Sequence, residues 1–214
     1  MNSSPTESPP QPTPEVAPQA SEPGRQRRAM PVLEKLFELY PHLFGSEFLP
    51  LKLGVFQELM ARHPGDFQKE DLKLALGVHT RSTRYLQCIA ARKKRHDLDG
   101  NAVDDVSPEH VYLALLELFR RRQGRSPENL LPKLRNQLIA AYEASGLTPH
   151  EYVARVQSAD AEATTFLTEA LGEHAQTLAR REALVKAFKT SGKTPAEFAD
   201  MYGIDPRDLQ RAIG

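Results

Sequence analysis

Thr80-Arg81-Ser82-Thr83-Arg84-Tyr85-Leu86, followed after a short apolar run by Arg92-Lys93-Lys94-Arg95-His96-Asp97-Leu98-Asp99-Gly100-Asn101, is the stretch on which the reading of the fold turns. Its first half offers Thr80 or Ser82 as the cap of a helix that runs to about Ala91. In its second half, Arg95-His96-Asp97-Leu98 and Ala102-Val103 flank Asp99-Gly100-Asn101, turn chemistry that favours a short β-hairpin. Arg81, Arg84, Arg92, Lys93, Lys94 and Arg95 fall within fifteen residues, with no acid until Asp97. Such a local excess attracts a polyanion, and the hydroxyls and ring beside it suit one phosphate and sugar.

Helical spacing extends on both sides. Pro31 suits a first helical position, Val32, Leu33, Leu36, Phe37, Leu39 and Tyr40 follow at helical spacing, and Pro41 ends the run. A second helix is expected through Leu51, Val55, Phe56, Leu59 and Met60, broken by Pro64-Gly65. A third runs from Glu70 to Leu76, with Gly77 at its C-terminal side. Ser107-Pro108-Glu109-His110 opens a fifth, with Val111, Ala114, Leu115, Leu118 and Phe119 as its buried stripe.

Further out the composition changes. Residues 1–30 hold seven of the seventeen prolines and no aromatic residue, so they are expected to be a disordered tail. Arg25, Arg27 and Arg28 close that tail; they suit a phosphate contact and simple solubility equally. Beyond residue 125, Leu138–Tyr152 matches Leu184–Phe198 at a constant offset of 46. Gly146 and Gly192 supply left-handed helix ends, Thr148 and Thr194 cap the next helix, Pro149 and Pro195 follow, and Glu151 and Glu197 close capping boxes. The expected organisation is therefore a tail (1–30), a helical domain with one hairpin (31–125) and a helical repeat domain (126–214, units about 133–171 and 180–214).

Lys plus Arg equals Asp plus Glu at 28 each, so global charge favours no partner. Residues 31–125 hold 15 basic and 13 acidic side chains, a net of +2, and residues 126–214 hold 10 and 12, a net of −2. Any basic face thus has an acidic back. Cys88, the only cysteine, excludes an internal disulfide, fits a reducing compartment and reads as a buried, inert thiol. The seven histidines (His42, His63, His79, His96, His110, His150 and His174) show no metal-ligand spacing. No phosphate loop or nucleophile elbow appears, so no metal, cofactor, catalytic residue or small-molecule substrate is expected. Without a signal-like start or an apolar run of spanning length, the chain reads as soluble and cytoplasmic.

Tyr40-Pro41-His42-Leu43-Phe44, Pro50-Leu51-Lys52-Leu53-Gly54-Val55-Phe56-Gln57-Glu58-Leu59, Ala75-Leu76, Thr80–Leu86 and Arg95–Asn101 occur in an order and spacing that resemble the ProQ/FinO family of bacterial RNA chaperones. The likeness covers roughly residues 31–122. It implies a mostly helical domain with a small β element that binds structured RNA, notably the 3′ ends of terminator-like hairpins, small regulatory RNAs and mRNAs. Such proteins stabilise those RNAs and promote RNA–RNA pairing. On this reading Tyr85 and Arg95 rank first as RNA-binding residues, then Thr80, Ser82, Lys52 and Lys73. Lys69, Arg81, Arg84, Leu86, Arg92, Lys93 and Lys94 extend the face. A helix capped at Thr80 would point its free amides at a phosphate, Thr80 and Ser82 would bond that phosphate or a ribose, and Arg95 would fork onto a second phosphate. Lys52, Lys69 and Lys73 would follow the duplex stem without sequence preference.

The chain departs from the family pattern at Gly77, where a base is common, at His79, where tyrosine is common, and at Arg92-Lys93-Lys94, which replaces a more neutral approach. Arg120-Arg121-Arg122-Gln123-Gly124-Arg125 suits a helix C-terminus as well as RNA. The repeat leaves two other readings open, a DNA-binding protein or a protein-interaction module. Its second helices are poor in base-reading cations and its net charge is negative, which favours a protein partner or self-association.

Overall fold

The structure, a computed structural model, describes residues 22–45 and 47–213. The expected tail lies outside the described residues as far as position 21, and from Glu22 onward it is helical. The first helix, α1 (Glu22–Leu39), starts well before Pro31, which sits inside it and forgoes one backbone hydrogen bond. Packing explains the difference. α1 lies along α4 (Lys69–Thr80), with Ala29 fully buried and Arg28 Nε donating to Asp71 Oδ1 at 2.8 Å.

After the short α2 (Pro41–Phe44), α3 covers Val55–Arg62 and excludes Leu51, which sequence periodicity had placed in the same helix. Pro50–Lys52 is extended instead. His96 N–H donates to Pro50 O at 2.7 Å and Lys52 N–H to His96 O at 2.8 Å, so this segment lines the edge of the hairpin. α4 likewise runs beyond Leu76 and through Gly77, because Ala75, Leu76 and His79 carry its buried face further. α5 (Thr83–Ala90) follows after one turn. The hairpin is present as β1 (Arg95–His96) and β2 (Ala102–Asp104), antiparallel, with a register shift between Arg95 and His96. Its turn uses Gly100 at φ 83°, where a Cβ would also stand 3.0 Å from the His42 ring.

α6 (Pro108–Gln123) packs on α5 and on α7 (Leu131–Glu143), and α8 (Pro149–Arg155) and α9 (Ala161–Ser191) follow. The main core does not stop at residue 125. Leu134, Leu138, Tyr152, Ala163 and Leu167 join Leu36, Leu59, Leu72 and Tyr112 in one cluster. Tyr112 Oη donates to Ala163 O at 2.8 Å, Arg120 pairs with Asp160, and Arg121 Nη1 donates to Arg81 O at 2.9 Å. Thus two of the arginines at the end of α6 are committed within the fold. α9 runs unbroken through 171–180, the expected spacer between the repeat units. α10 (Pro195–Tyr202) and α11 (Pro206–Ile213) then fold back on its end around Phe198, Ala199 and Leu209. Both expected capping boxes are formed, at Thr148 and Thr194, and both left-handed glycines are present, Gly146 at φ 66° and Gly192 at φ 64°. No helix among the described residues is long and apolar enough to cross a membrane.

Candidate nucleic-acid interface

The loop before α3, the junction of α4 and α5, and the first hairpin strand enclose a cleft of about 360 Å3. Lys52, Thr80, Tyr85 and Arg95 all line it, together with Leu53, Gly54, Phe56 and His110. Four of the residues singled out from sequence therefore meet, although they are spread over more than forty positions.

Local chemistry fixes each one. Ser82 is the cap of α5: its Oγ accepts from Tyr85 N–H at 3.2 Å. Thr80 is not, because the longer α4 ends on it and its hydroxyl donates to Leu76 O at 2.8 Å. Capping by Ser82 sets Tyr85 on the first turn of α5, where its ring is 6% exposed. Leu51 N–H donates to Tyr85 Oη at 3.0 Å. Burial raises the phenol above its ordinary range, so it keeps its proton, and that proton remains to be donated into the cleft.

Arg95 reaches the floor of the cleft from β1 and is only 5% exposed. Its Nη1 donates to Leu51 O at 2.8 Å and its Nη2 to His110 Nδ1 at 3.2 Å. Burial first, and the Arg95 charge second, hold His110 below the usual imidazole range, which keeps it a neutral acceptor. Among the described residues no carboxylate pairs with Arg95. A desolvated cation with only neutral partners is costly to hold, and an anion entering the cleft would relieve that cost. Its fork is already half used inside the fold, so it meets a ligand as a charge with its remaining donors.

At the rim, Lys52 Nζ stands 3.4 Å from Glu58 Oε2, and Glu58 in turn accepts from Arg62. Arg62 also forks onto Asp99 with both bonds at 2.6 Å. Asp99, read from sequence as a turn residue, therefore anchors α3 to the hairpin, while Asp97 makes the turn by accepting from Asp99 and Asn101 N–H. Behind the cleft His79 is packed among Phe44, Phe48 and Tyr85, with ring centroids 4.7, 4.6 and 5.2 Å away. Burial pushes it down to about 4, so it is neutral, and its Nε2 has no hydrogen-bond partner among the described residues. Cys88 is buried as expected, its thiol donating to Phe48 O at 2.7 Å and raised by burial.

The other predicted residues do not line this cleft. Lys69 and Lys73 are exposed on α4, and Leu86 is half-buried against the core. Arg81 and Lys93 are exposed, Arg84 lies over the Phe48 ring, and Lys94 is 3.9 Å from Asp105. Arg92 turns the other way and donates to Ala140 O at 3.2 Å. Sequence reading missed His110, a lone histidine with no spacing signal; its position one turn after Ser107-Pro108 was the one hint available.

Residues 27–130 match the ProQ/FINO family. The chain is 42% identical over 84 residues to the RNA chaperone ProQ of Shewanella pealeana, covering 37% of this chain and 40% of that one. It is 41% identical over 114 residues to the RNA chaperone ProQ of Shewanella frigidimarina, covering 48% of this chain and 56% of that one. The chain thus spans about half the length of these relatives, or less. A solved FinO-like RNA chaperone from Neisseria meningitidis MC58 is 28% identical, with 42% of this chain and 92% of that chain covered and a TM-score of 0.37. Helices, hairpin and sequence likeness agree over residues 27–130, the part of the chain that is similar to the ProQ/FINO family.

Proposed function

We propose that the protein is an RNA-binding chaperone that holds the 3′ end of a hairpin in the cleft, stabilising such RNAs and aiding their pairing with targets in the cytoplasm. The observation that carries this reading is the buried guanidinium of Arg95, without a carboxylate partner, on the floor of an open cleft. The terminal phosphodiester sits near Arg95, accepts the proton of Tyr85 Oη, and meets Lys52 at the rim. Thr80 stands where a terminal ribose hydroxyl would be recognised. Lys69 and Lys73 give the stem a sequence-independent phosphate contact outside the cleft. Each of these steps is binding, and the proposal needs no bond chemistry.

The test is binding of the full chain to a terminator-like RNA hairpin ending in a free 3′-hydroxyl, against the same hairpin ending in a 3′-phosphate and a DNA copy. The free RNA end is expected to bind best. Tyr85→Phe keeps the buried ring and is expected to lose about tenfold, the worth of one hydrogen bond to a charged group. Equal affinity for all three hairpins would defeat the terminal pocket.

A protein partner for the C-terminal unit is a second reading, favoured by Met201 at 51% and Tyr202 at 57% exposure on α10. Sedimentation of the full chain with Met201→Ser/Tyr202→Ser tests the self-associating version, which predicts that a wild-type oligomer dissociates.

A further inference from the structure

The first repeat unit does more than pack against the family domain. Where α7 meets α5 and α6, two adjoining hollows of about 350 and 330 Å3 share Leu118, Arg122 and Leu130 and form one trough. Arg92, Arg121, Arg122, Arg125 and Lys133 line it, and its lining contains no Asp or Glu. Arg121 is held by Glu117, Arg81 O and Thr83 Oγ1. The side chains of Arg122, Arg125 and Lys133 are exposed and have no partner among the described residues. Arg92 takes φ 56°, a left-handed conformation rare outside glycine, and from it reaches α7 at Ala140 O. The floor is apolar, with Leu115, Phe119 and Leu134.

A cationic rim over an apolar floor fits a ligand that is anionic along one edge and flat and apolar along the other. Single-stranded nucleic acid has this form: phosphates meet the cations and bases lie on the floor. Position selects RNA continuous with the ligand of the cleft. Thr80 lines the cleft and Thr83 lines the near end of the trough, so a single turn of chain separates the two.

We propose that this trough is a second RNA-binding surface that takes the unpaired strand adjoining the hairpin, with Arg122, Arg125 and Lys133 on its phosphates. It rests on the RNA reading of the domain, and it gives the first repeat unit a role, since Lys133 and the α7 wall come from that unit. The site is composite and is lost if the unit undocks.

The experiment uses the full chain and three RNAs: a hairpin, the same hairpin with a twelve-nucleotide single-stranded extension, and the extension alone. Wild type is compared with Arg122→Ala/Arg125→Ala/Lys133→Ala, and with Lys186→Ala/Lys189→Ala/Lys193→Ala, which removes equal charge from exposed positions of the second unit. The extension is expected to improve wild-type and control affinity by roughly tenfold and the trough variant by less than about twofold, with a salt slope lower by about 2, as three lost phosphate contacts on a single strand require. An equal gain in all three proteins overturns the proposal. So does displacement of nothing but a poly-glutamate peptide from the trough, which would assign it to an acidic protein. If no protein binds the bare hairpin, the terminal pocket fails by itself. The trough is then decided on the extension alone, where loss of binding in the trough variant supports it and unchanged binding rejects it.

Discussion

The two repeat units share a turn, a capping box and a ring pair, yet they settle differently. In the first unit Tyr142 and Tyr152 meet edge-on at 5.5 Å, and in the second Phe188 and Phe198 meet in the same way at 5.4 Å. Tyr152 then joins the main core, whereas Phe198 anchors a small cluster of its own with Ala199 and Leu209. The difference lies on the outer face of the long helix. At an offset of 46, the buried Leu134, which docks α7 in the main core, becomes Arg180, so a buried apolar anchor of the first copy is a cation in the second. Local rules build the unit, and a few surface positions decide what it packs against.

The comparison can be broken most severely at the rings. Tyr152→Ala is expected to cost about 3–5 kcal/mol, the usual toll of deleting a buried aromatic, and to lower the main unfolding transition. Phe198→Ala is expected to melt only the second unit and to leave that transition in place. Hydrogen exchange resolved by peptide distinguishes the two, and a common loss of protection in both variants would mean that the units unfold together. Acid should separate the regions next. The pKa of His79 falls to about 4 in the folded chain from an ordinary 6.5, so its neutral form is favoured by folding. Stability is full above about pH 6.5 and declines toward pH 4, by up to about 3 kcal/mol. His79→Phe should flatten this slope in chemical denaturation, and the second unit, which has no histidine after His174, should not share it.

Smaller changes sharpen the likeness. Thr148→Ala and Thr194→Ala each remove a capping box and should cost about 1 kcal/mol, measured as lost protection confined to their own unit. Tyr152→Phe copies the second unit into the first. The Tyr152 hydroxyl is buried without a partner among the described residues, so its removal should be neutral or stabilising by up to about 1 kcal/mol, read as a shift in the denaturation midpoint.

What could be read in the sequence was whatever acts over a few residues. The caps at Thr148 and Thr194, the hairpin around Gly100 and the left-handed glycines at 146 and 192 all follow from adjacent side chains, whereas Thr80 and Ser82 suited the start of α5 equally until the length of α4 decided for Ser82. Features set by distant partners were hidden. Prolines argued against a helix before Pro31, but α1 gains α4 as a partner and starts at Glu22. Leu51 fits a helical period, but His96 draws its segment into an extended edge. The cleft was legible in part because four of its side chains lie in recognisable motifs. The burial of Arg95 was not, since an arginine in a basic run reads as exposed until Leu51 O and His110 are seen around it. The basic run itself divides, with Arg95 in the cleft and Arg92 against α7.

The unbroken helix Ala161–Ser191 has a mechanical consequence. Its 31 residues span about 45 Å, one end fixed in the main core and the other carrying the second unit. A rod of this kind transmits azimuth as well as distance. Two added residues would swing the second unit by about 200°, whereas seven would return it to within about 20° of its first bearing and only move it outward. Whatever meets that unit is presented on a chosen side of the molecule, and the length of the helix, counted in whole residues, is the dial that sets it.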